Sequence, residues 1–371
     1  MDNNKIRVGI THGDTNGIGY EVIIKALGDP AMCELCTPII YGSQRIATFY
    51  RKGIDLESPL KFNIISSAAD ADPDGVNLVE VLGKDANVDP GVESKEAGEY
   101  AFISLEWAVA DLKDGLIDVL VTAPIDKKTI QSDKFNFPGH TEYLEASFGE
   151  GKKPLMILFN DRVRVALVTT HLPIAQIPAA ITKDAILEKL RIFNTTLKRD
   201  FNINAPRIAV LALNPHAGEH GLLGKEEDEV IIPAISEARD EKIIAFGPYP
   251  ADGFFGSELY SYFDGVLAMY HDQGLAPFKT IAMTSGVNFT AGLPYVRTSP
   301  DHGTGFDIAG KNKANADSMR EAIYNAIDIF RNRARYDEMY SNTLRRQYFD
   351  KSNDNVVLDL SKDDDDDAAS K

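Results

Sequence analysis

The sequence predicts an α/β protein in which two α/β subdomains flank a cleft and share a mixed sheet with a dimerising arm. Strand-like and helix-like segments alternate along most of the chain, which is typical of a largely parallel sheet covered by helices. Residues 154–160 and 162–170 instead predict an antiparallel hairpin, with Asn160 and Asp161 at its turn, and this hairpin would form the arm. The length of 371 residues fits one large domain or two smaller ones.

The first 130 residues contain three predicted strands, each a short apolar run of the kind buried in a parallel sheet. They cover residues 6–11, 37–42 and 118–122. Helices are predicted at 18–27, from the end of the second strand to residue 49, and at 94–114, where apolar residues recur at helical spacing. Farther along, strands are predicted at 207–213, 243–246, 265–270 and 280–284, and helices at 226–239 and 317–331.

The chain is acidic, and its formal net charge of −17 repels nucleic acid and anionic membranes. No apolar run approaches the ~20 residues that span a bilayer, and residues 1–7 lack the pattern of an export signal. Cys33 and Cys36 lack the second pair that a zinc ribbon needs, so a reducing, cytoplasmic setting is predicted. Residues 362–371, which include five consecutive aspartates, are predicted to be a disordered acidic tail.

Three of the seven histidines follow predicted strands: His171 after 165–170, His216 after 208–213, and His271 after 266–270. Ligands bind at the carboxyl ends of strands in open α/β sheets, which favours a common site for these side chains. Imidazole suits zinc and similar divalent ions, and three histidines leave one position open for a substrate. For each histidine alone, a hydrogen-bonded loop position is the alternative.

Two stretches have the composition of an anion-binding site. His140 and Thr141 precede an apolar helix predicted to start near Tyr143, so Thr141 is either its N-cap or part of an anion-binding helix N-terminus. Lys279 and Arg297 flank an apolar, glycine-containing stretch that carries no other charge. This placement suits a clamp for a phosphate or a carboxylate, and Asn288 lies within the stretch.

Two glycine-containing loops leave their role open. Residues 13–19 join the first strand to the first helix and partly resemble a dinucleotide loop, but they lack the full G-x-G-x-x-G pattern and the Walker lysine. A tight turn before a helix explains them equally well. Residues 301–305 would close the pocket or contact a cofactor. No cofactor-binding residue is predicted from either loop.

Taken together, these segments resemble the 4-hydroxythreonine-4-phosphate dehydrogenase (PdxA) family of vitamin B6 biosynthesis. The resemblance runs from residue 9 to about 310 and is carried by GITHGDTNGIGYE, VTAPIDKKTI, FPGHTEYL, VTTHLPIAQIPAAIT, LNPHAGEHGLLGKEE, GPYPADGFF, MYHDQGLAPFK and VNFTAGLPYVRTSPDHGTGFDIAG. The family's first glycine-rich stretch usually reads GDPAGIGPE. This chain has Thr15, Asn16 and Tyr20 in place of Pro, Ala and Pro, which bears on the subfamily more than on the family.

The resemblance implies a fold like that of the isocitrate and isopropylmalate dehydrogenases. One catalytic unit would cover residues 1–361, with one subdomain formed by about 1–130 and 300–361 and the other by 131–299. A homodimer with an active site shared between its subunits is also implied, together with NAD or NADP and one divalent ion (zinc, magnesium or cobalt). The metal ligands would be His171, His216 and His271. The substrate contacts would be His140, Thr141, Lys279, Asn288 and Arg297.

The implied reaction oxidises the C3 hydroxyl of 4-phosphooxy-L-threonine, and loss of carbon dioxide then gives 3-amino-2-oxopropyl phosphate. The metal would lower the pKa of the hydroxyl and stabilise negative charge in both steps. Lys279 and Arg297 would hold the phosphate and orient C3 towards the cofactor. Asp252 and Asp272 would bind the substrate amine or support the histidines, or would serve only in turns and caps.

Two alternatives share these features. Paralogues that resemble this family oxidise four-carbon sugar acids phosphorylated at position 4, such as threonate or erythronate 4-phosphate. Both kinds of substrate use the same phosphate, metal and cofactor contacts, so the motifs do not separate them. A more remote alternative is a non-catalytic metal- or nucleotide-binding protein on the same scaffold. Such a protein has no chemical need for three histidines and a cationic clamp together.

Overall fold

Twelve strands join into one continuous sheet in the computed structural model, which describes residues 5–56, 60–149, 151–282 and 284–341. The strands are β1 (Ile6–Thr11), β2 (Cys36–Gly42), β3 (Phe62–Ile65), β4 (Val76–Glu80), β5 (Val119–Thr122), β6 (Leu155–Phe159), β7 (Arg164–Leu167), β8 (Arg207–Leu211), β9 (Ile244–Tyr249), β10 (Gly265–Ala268), β11 (Val287–Ala291) and β12 (Arg297–Pro300). Their order across the sheet is β3-β4-β2-β1-β5-β12-β11-β6-β7-β10-β8-β9.

Eleven α-helices lie within the described residues. They are α1 (Gly19–Leu27), α2 (Met32–Leu35), α3 (Gln44–Lys52), α4 (Lys95–Lys113), α5 (His140–Phe148), α6 (Ile177–Ala180), α7 (Lys183–Arg199), α8 (Ile232–Asp240), α9 (Ala251–Gly256), α10 (His271–Ala282) and α11 (Asp317–Ser341). A π-helical turn, Glu227–Ile231, leads directly into α8.

The sheet consists of two parallel blocks joined by antiparallel strands. Strands β3, β4, β2, β1, β5 and β12 are parallel, and so are β7, β10, β8 and β9. Between the blocks, β12 pairs with β11, β11 with β6, and β6 with β7, each antiparallel. Because three antiparallel pairings separate β12 from β7, the two blocks run in opposite directions.

Helices cover both faces of the sheet, so its strands are apolar on both sides. In β5, Val119 and Val121 pack in the core with α1, α7, α8 and α11, on what we call the first face. Leu120 packs in a separate core with α4 and α5, on the second face. Over the other block, the second face carries α9 and α10. This double burial explains the continuous apolar runs of the central strands.

The mixed α/β fold predicted from the sequence is confirmed, with differences in detail. The hairpin of β6 and β7 is present, but it is not a projecting arm, because β11 and β10 pair with its outer edges. The predicted strand at 280–284 is wrong: residues up to Ala282 belong to α10. Leu275, Phe278 and Ala282 are buried along one side of that helix, a helical spacing that outweighs Pro277 within it.

Four strands, the helices α2, α6, α7 and α9, and part of the last helix were not predicted. The strands are β3, β4, β11 and β12, and α11 continues to Ser341 rather than ending at 331. The division into two subdomains stays a prediction. Its C-terminal part, 342–361, and the acidic tail lie outside the described residues. No helix of the described residues is long and apolar enough to cross a membrane.

Candidate active site

A group of polar side chains interrupts the apolar second face of the sheet, between the helices that cover its two blocks. In β11, Val287, Phe289 and Ala291 pack on the first face, so Asn288 and Thr290 point to the second. Val296, directly before β12, packs on the first face, so Arg297, the first residue of β12, also points to the second. We call Thr122, Asn288, Thr290 and Arg297 the polar stripe.

Arg297 is a buried cation held by neutral hydroxyl groups. Its side chain is almost fully enclosed, with the residue 5% exposed. Nε and Nη2 donate to Thr122 Oγ1 at 3.0 and 2.6 Å, and Nη1 donates to Thr290 Oγ1 at 3.1 Å. Among the ion pairs of the described residues, none includes Arg297. Burial lowers its pKa to about 10, whereas the nearby carboxylate of Glu142 raises it, so the guanidinium stays charged at neutral pH without a direct ion pair among the described residues.

The N-terminus of α5 lies beside this cation. The helix begins at His140 rather than near Tyr143, and Gly139 precedes it without a side-chain cap. Thr141 is therefore inside the first turn and is not the N-cap. His140 Nε2 and Asn288 Oδ1 are buried without a hydrogen-bond partner in the described structure. Burial lowers the pKa of His140 well below its usual range, and the charges of Arg297 and Lys127 lower it further.

His171 and His271 lie close together at the carboxyl ends of two paired strands. Their ring centroids are 5.9 Å apart, His171 following β7 and His271 opening α10 after β10. His271 Nδ1 is 2.7 Å from Asp272 Oδ1, a contact that assigns the ring proton to Nδ1 and leaves Nε2 free to bind a cation. The pKa of His171 is lowered by burial and then by Lys127, which favours the neutral ring that metals bind.

His216 lies apart from this pair, after β8 and on the other side of β10. It lines a cavity of about 520 Å³ together with Asp252, Tyr270 and Gln273. Within the described parts of the chain, no three His, Cys, Asp or Glu side chains come close enough to hold a metal ion. The structure thus brings two of the three predicted ligands together, and places Asp252 with the third.

The backbone around His216 adopts a conformation that is rare for L-amino acids. His216, Ala217, Gly218, Glu219 and His220 have φ values of 52°, 51°, 77°, 44° and 53°. We call these five residues the left-handed turn. Each residue other than glycine in this conformation costs roughly 1–2 kcal/mol, so the surrounding contacts must hold the turn in place.

Lys279 and Arg297 do not share a partner. Lys279 lies in the last turn of α10, and its Nζ is 3.3 Å from Asp301 Oδ1, just after β12. Burial raises the pKa of Asp301, whereas Lys279 lowers it. His302 follows, with Nε2 buried and without a partner in the described structure. Their contacts therefore do not show that Lys279 and Arg297 bind one phosphate together, and this clamp stays a proposal.

Sequence reasoning missed Lys127 and Glu142. A Cβ atom added to Gly139 would lie 3.5 Å from Glu142 Oε2 and 3.8 Å from Lys127 Cε, so both side chains flank the start of α5. Glu142 Oε1 is also 3.9 Å from His171 Nδ1. Lys127 follows β5 within VTAPIDKKTI. The rule applied to the histidines, that site residues follow strand ends, would also have selected it.

Known proteins resemble this chain over most of its length. The family model described as pyridoxal phosphate biosynthetic protein PdxA matches residues 34–326. A 4-hydroxythreonine-4-phosphate dehydrogenase of Bacteroides thetaiotaomicron is 56% identical over 366 residues, which cover 99% of this chain and 100% of the relative. The chain belongs to the PdxA family. Another relative of the same name, from a Sulfurihydrogenibium species, is 40% identical over 324 residues, covering 87% of this chain and 98% of its own.

Solved structures of PdxA-family proteins have the same fold. The crystal structure of 4-hydroxythreonine-4-phosphate dehydrogenase from Klebsiella pneumoniae matches with a TM-score of 0.76 and 33% identity, over 89% of this chain and 99% of that one. A terephthalate 1,2-cis-dihydrodioldehydrogenase from Burkholderia xenovorans matches with a TM-score of 0.58 and 24% identity, over 87% and 98% of the two chains. The second likeness shows a shared fold only.

The first glycine-rich loop of this PdxA-family chain encloses a histidine. His12 is fully buried, its Nδ1 lies 2.7 Å from Gly13 O, and its Nε2 has no partner in the described structure. The ring stacks on Tyr20 at 5.0 Å, and Tyr20 stacks on Tyr50 at 5.8 Å. Tyr20 is one of the positions at which the chain departs from the usual family stretch. Burial lowers the pKa of His12 to about 4.

We expect His12 to make the protein less stable at acid pH. Its ring is protonated below about pH 6.5 in the unfolded chain but only near pH 4 in the folded protein, so stability is complete above pH 6.5 and falls as the pH decreases. Between pH 7.5 and pH 5 this one group should remove about 2 kcal/mol from the free energy of unfolding. Urea unfolding of wild type and His12→Asn across this pH range gives, for each protein, the slope of the free energy of unfolding against pH. Equal slopes in the two proteins would contradict the buried, neutral state of His12.

Proposed function

We propose that this protein oxidises 4-phosphooxy-L-threonine at C3 with NAD or NADP and decarboxylates the product to 3-amino-2-oxopropyl phosphate, in pyridoxal phosphate biosynthesis. The observation that carries the proposal is Arg297, a buried guanidinium that forms no direct ion pair among the described residues and lies close enough to His140 to lower the pKa of that ring. A buried charge is costly when unpaired, and an anionic substrate would supply the missing partner. The names of the relatives support the choice of substrate.

The phosphate group would bind between the polar stripe and the start of α5. Arg297 offers charged N–H donors, and the first N–H groups of α5 add donors at the positive end of a helix dipole. His140, Thr141 and Asn288 lie around this position, and His140 and Asn288 have buried polar atoms without a partner in the described structure. Lys279 would turn from Asp301 towards the same anion, since more than half of its side chain is exposed. This anchor would fix the distance from the phosphate to C3.

A divalent metal fits the donor set of His171 and His271. Two imidazoles bound to one tetrahedral ion at ~2.1 Å have ring centroids roughly 5 Å apart, close to the observed 5.9 Å. His216 would supply the third ligand. Imidazole donors favour zinc or cobalt over magnesium. A bound ion would supply the positive charge that acidifies the substrate hydroxyl.

The two aspartates named from the sequence have separate tasks in this proposal. Asp272 holds the Nδ1 proton of His271 and so presents Nε2 to the ion. Asp252 lines the cavity next to His216, where a carboxylate would bind the substrate amine. Neither NAD nor NADP is favoured by the contacts of the site, and no residue is assigned to the cofactor.

A second copy of the chain would complete the site. Large apolar side chains are exposed directly after two of the histidines, which is typical of a surface covered by a partner. After His171 these are Leu172 and Ile174, 41% and 80% exposed, and after the left-handed turn they are Leu222 and Leu223, 79% and 44% exposed. We propose that this surface forms the homodimer contact and that His216 reaches the histidine pair of the partner subunit.

We also propose a cytoplasmic location. Cys33 and Cys36 are both free thiols although only two residues separate them in sequence. Unpaired cysteines are the usual state in a reducing compartment.

The proposed function is tested by reduction of NAD and of NADP with three substrates, before and after chelation of metal. We expect turnover with 4-phosphooxy-L-threonine that is lost on chelation and restored by zinc or cobalt. A preference for D-erythronate or D-threonate 4-phosphate would change the assigned substrate but leave the proposed site residues unchanged. No turnover with any of the three after metal is restored would contradict the assignment as an enzyme of this class.

The shared site is tested with heterodimers purified through two different affinity tags. A heterodimer of His171→Ala and His216→Ala keeps one intact site if His216 comes from the partner, so we expect about half of the wild-type turnover. The pair His271→Ala and His216→Ala should behave in the same way. The pair His171→Ala and His271→Ala is the matched control and should be inactive. Inactivity of all three pairs would mean that each site uses the ligands of a single chain.

Arg297→Met should weaken substrate binding without weakening the fold. The variant removes a buried cation that has no counter-ion, so Tm should stay equal or rise, while KM for the phosphorylated substrate should increase by about tenfold or more. Arg333→Met is the control, because Arg333 is equally buried but is paired with Asp200 at 2.7 Å. That variant should lose about 3–5 kcal/mol of stability and keep its KM. An unchanged KM in Arg297→Met would rule out the phosphate assignment.

A further inference from the structure

The left-handed turn that carries His216 is attached to one buried carboxylate. Glu227 is 2% exposed and opens the π-helical turn before α8. Its Oε1 accepts from the backbone N–H groups of Leu213 and Asn214, both at 2.8 Å. Its Oε2 accepts from Asn214 Nδ2 at 2.9 Å. These three bonds fix the chain immediately before Pro215 and His216.

The far side of the turn closes on the same carboxylate. A Cβ atom at Gly218 would lie 2.6 Å from Glu227 Oε2, and one at Gly224 would lie 2.3 Å from Asn214 Nδ2. The backbone therefore packs directly against the Glu227–Asn214 pair on both sides. Leu223 N donates to Gly218 O at 3.0 Å and closes the loop. The strained residues have little room to relax while this pair is intact.

A purely structural role explains these contacts less well. Glu227 forms no ion pair with Lys or Arg in the described residues. Its hydrogen bonds go to two backbone N–H groups and to the side-chain amide of Asn214, all close to His216 in the chain. An apolar side chain of similar volume would fill the core without the cost of burying a carboxylate, so the carboxylate matters for the three donors that it binds. π-helical turns also occur preferentially at functional sites, because they redirect a side chain from the regular helical pattern.

We infer that Glu227 is a positioning residue, which holds the left-handed turn so that His216 is presented for metal binding. This inference rests on the proposed function, in which His216 is a metal ligand. Glu227 does not touch the ion or the substrate. It acts through Asn214 and the backbone of the turn, and its loss would let the turn relax and move the imidazole away from the position that the metal requires.

The experiment compares Glu227→Gln with Glu226→Gln in the full-length protein, using cobalt(II) as the probe. The glutamine at 227 keeps the volume but turns an N–H₂ group towards Asn214 Nδ2, so that two donors face each other. Glu226 also contacts Asn214 Nδ2, at 2.7 Å, but it is only half-buried and does not bind the backbone of the turn. Three quantities are measured: cobalt affinity, the visible spectrum of bound cobalt, and amide exchange at residues 213, 214 and 223 without metal.

In Glu227→Gln we expect cobalt to bind about 10–100-fold more weakly, with an altered spectrum and faster amide exchange in the turn. Glu226→Gln should match wild type in all three. Ile235→Ala, a core change in α8 away from the turn, controls for general destabilisation and should lower Tm without changing cobalt affinity or the spectrum.

The outcomes separate this inference from the function on which it rests. Wild-type cobalt affinity and amide exchange in Glu227→Gln would overturn the positioning role alone. Loss of cobalt affinity in Ile235→Ala to the same degree would also overturn it, because any destabilisation would then suffice. Failure of the wild-type protein itself to bind cobalt would instead overturn the proposed metal site, and the inference with it.

Discussion

The pairing of β12 with both β5 and β11 is the constraint on which the site depends. This four-residue strand is parallel to one neighbour and antiparallel to the other, and it joins the two oppositely directed blocks of the sheet. The backbone alternation puts Val296, directly before β12, into the core of the first face and Arg297 onto the second. The guanidinium then lies between Thr122 and Thr290, one hydroxyl from each flanking strand. A shift of β12 by one residue would exchange the two faces and remove the cation from the stripe.

The electrostatics around this strand favour an anion beside Arg297. Neutral threonines accept its hydrogen bonds, and Glu142 acts on it without a direct ion pair. Burial keeps His140 neutral, and His171 is shifted in the same direction. Neutral imidazoles can bind an ion or donate to a phosphate without first losing a proton. Lys127 and Glu142 add one charge of each sign beside the start of α5.

Much of the fold followed from apolar patterning, whereas errors arose where tertiary packing overrode a local signal. The buried strands β1, β2, β5 and β8 are continuous apolar runs, and the helices α1 and α4 show clear amphipathic spacing. The strand predicted at 280–284 was wrong because residues up to Ala282 continue α10, of which Leu275, Phe278 and Ala282 line one side. The strand β11 was not predicted, because Asn288 and Thr290 make one side of it polar and it does not resemble the continuous apolar runs of the other central strands.

The candidate site could be predicted only in part, because some of its features depend on tertiary contacts. Residue type and position after a strand were enough to select His171, His216 and His271. The clamp of Lys279 and Arg297 was suggested because the two cations flank an apolar, glycine-containing stretch without other charges. Sequence could not show that Arg297 is buried among hydroxyls while Lys279 pairs with Asp301. It also could not show the left-handed turn or its attachment to Glu227, because those depend on a carboxylate 11 residues after His216 folding back onto the backbone.

The position of β12 near the end of the chain has a consequence for synthesis. Thr122 and Arg297 meet across a sequence separation of 175 residues. The strands that precede β11 can pair within their own blocks as they leave the ribosome, but the two blocks are joined only when β11 and β12 emerge. The polar stripe is thus among the last features to form. A nascent or truncated chain that ends before residue 297 leaves the edge of β5 unpaired and carries Thr122 without Arg297.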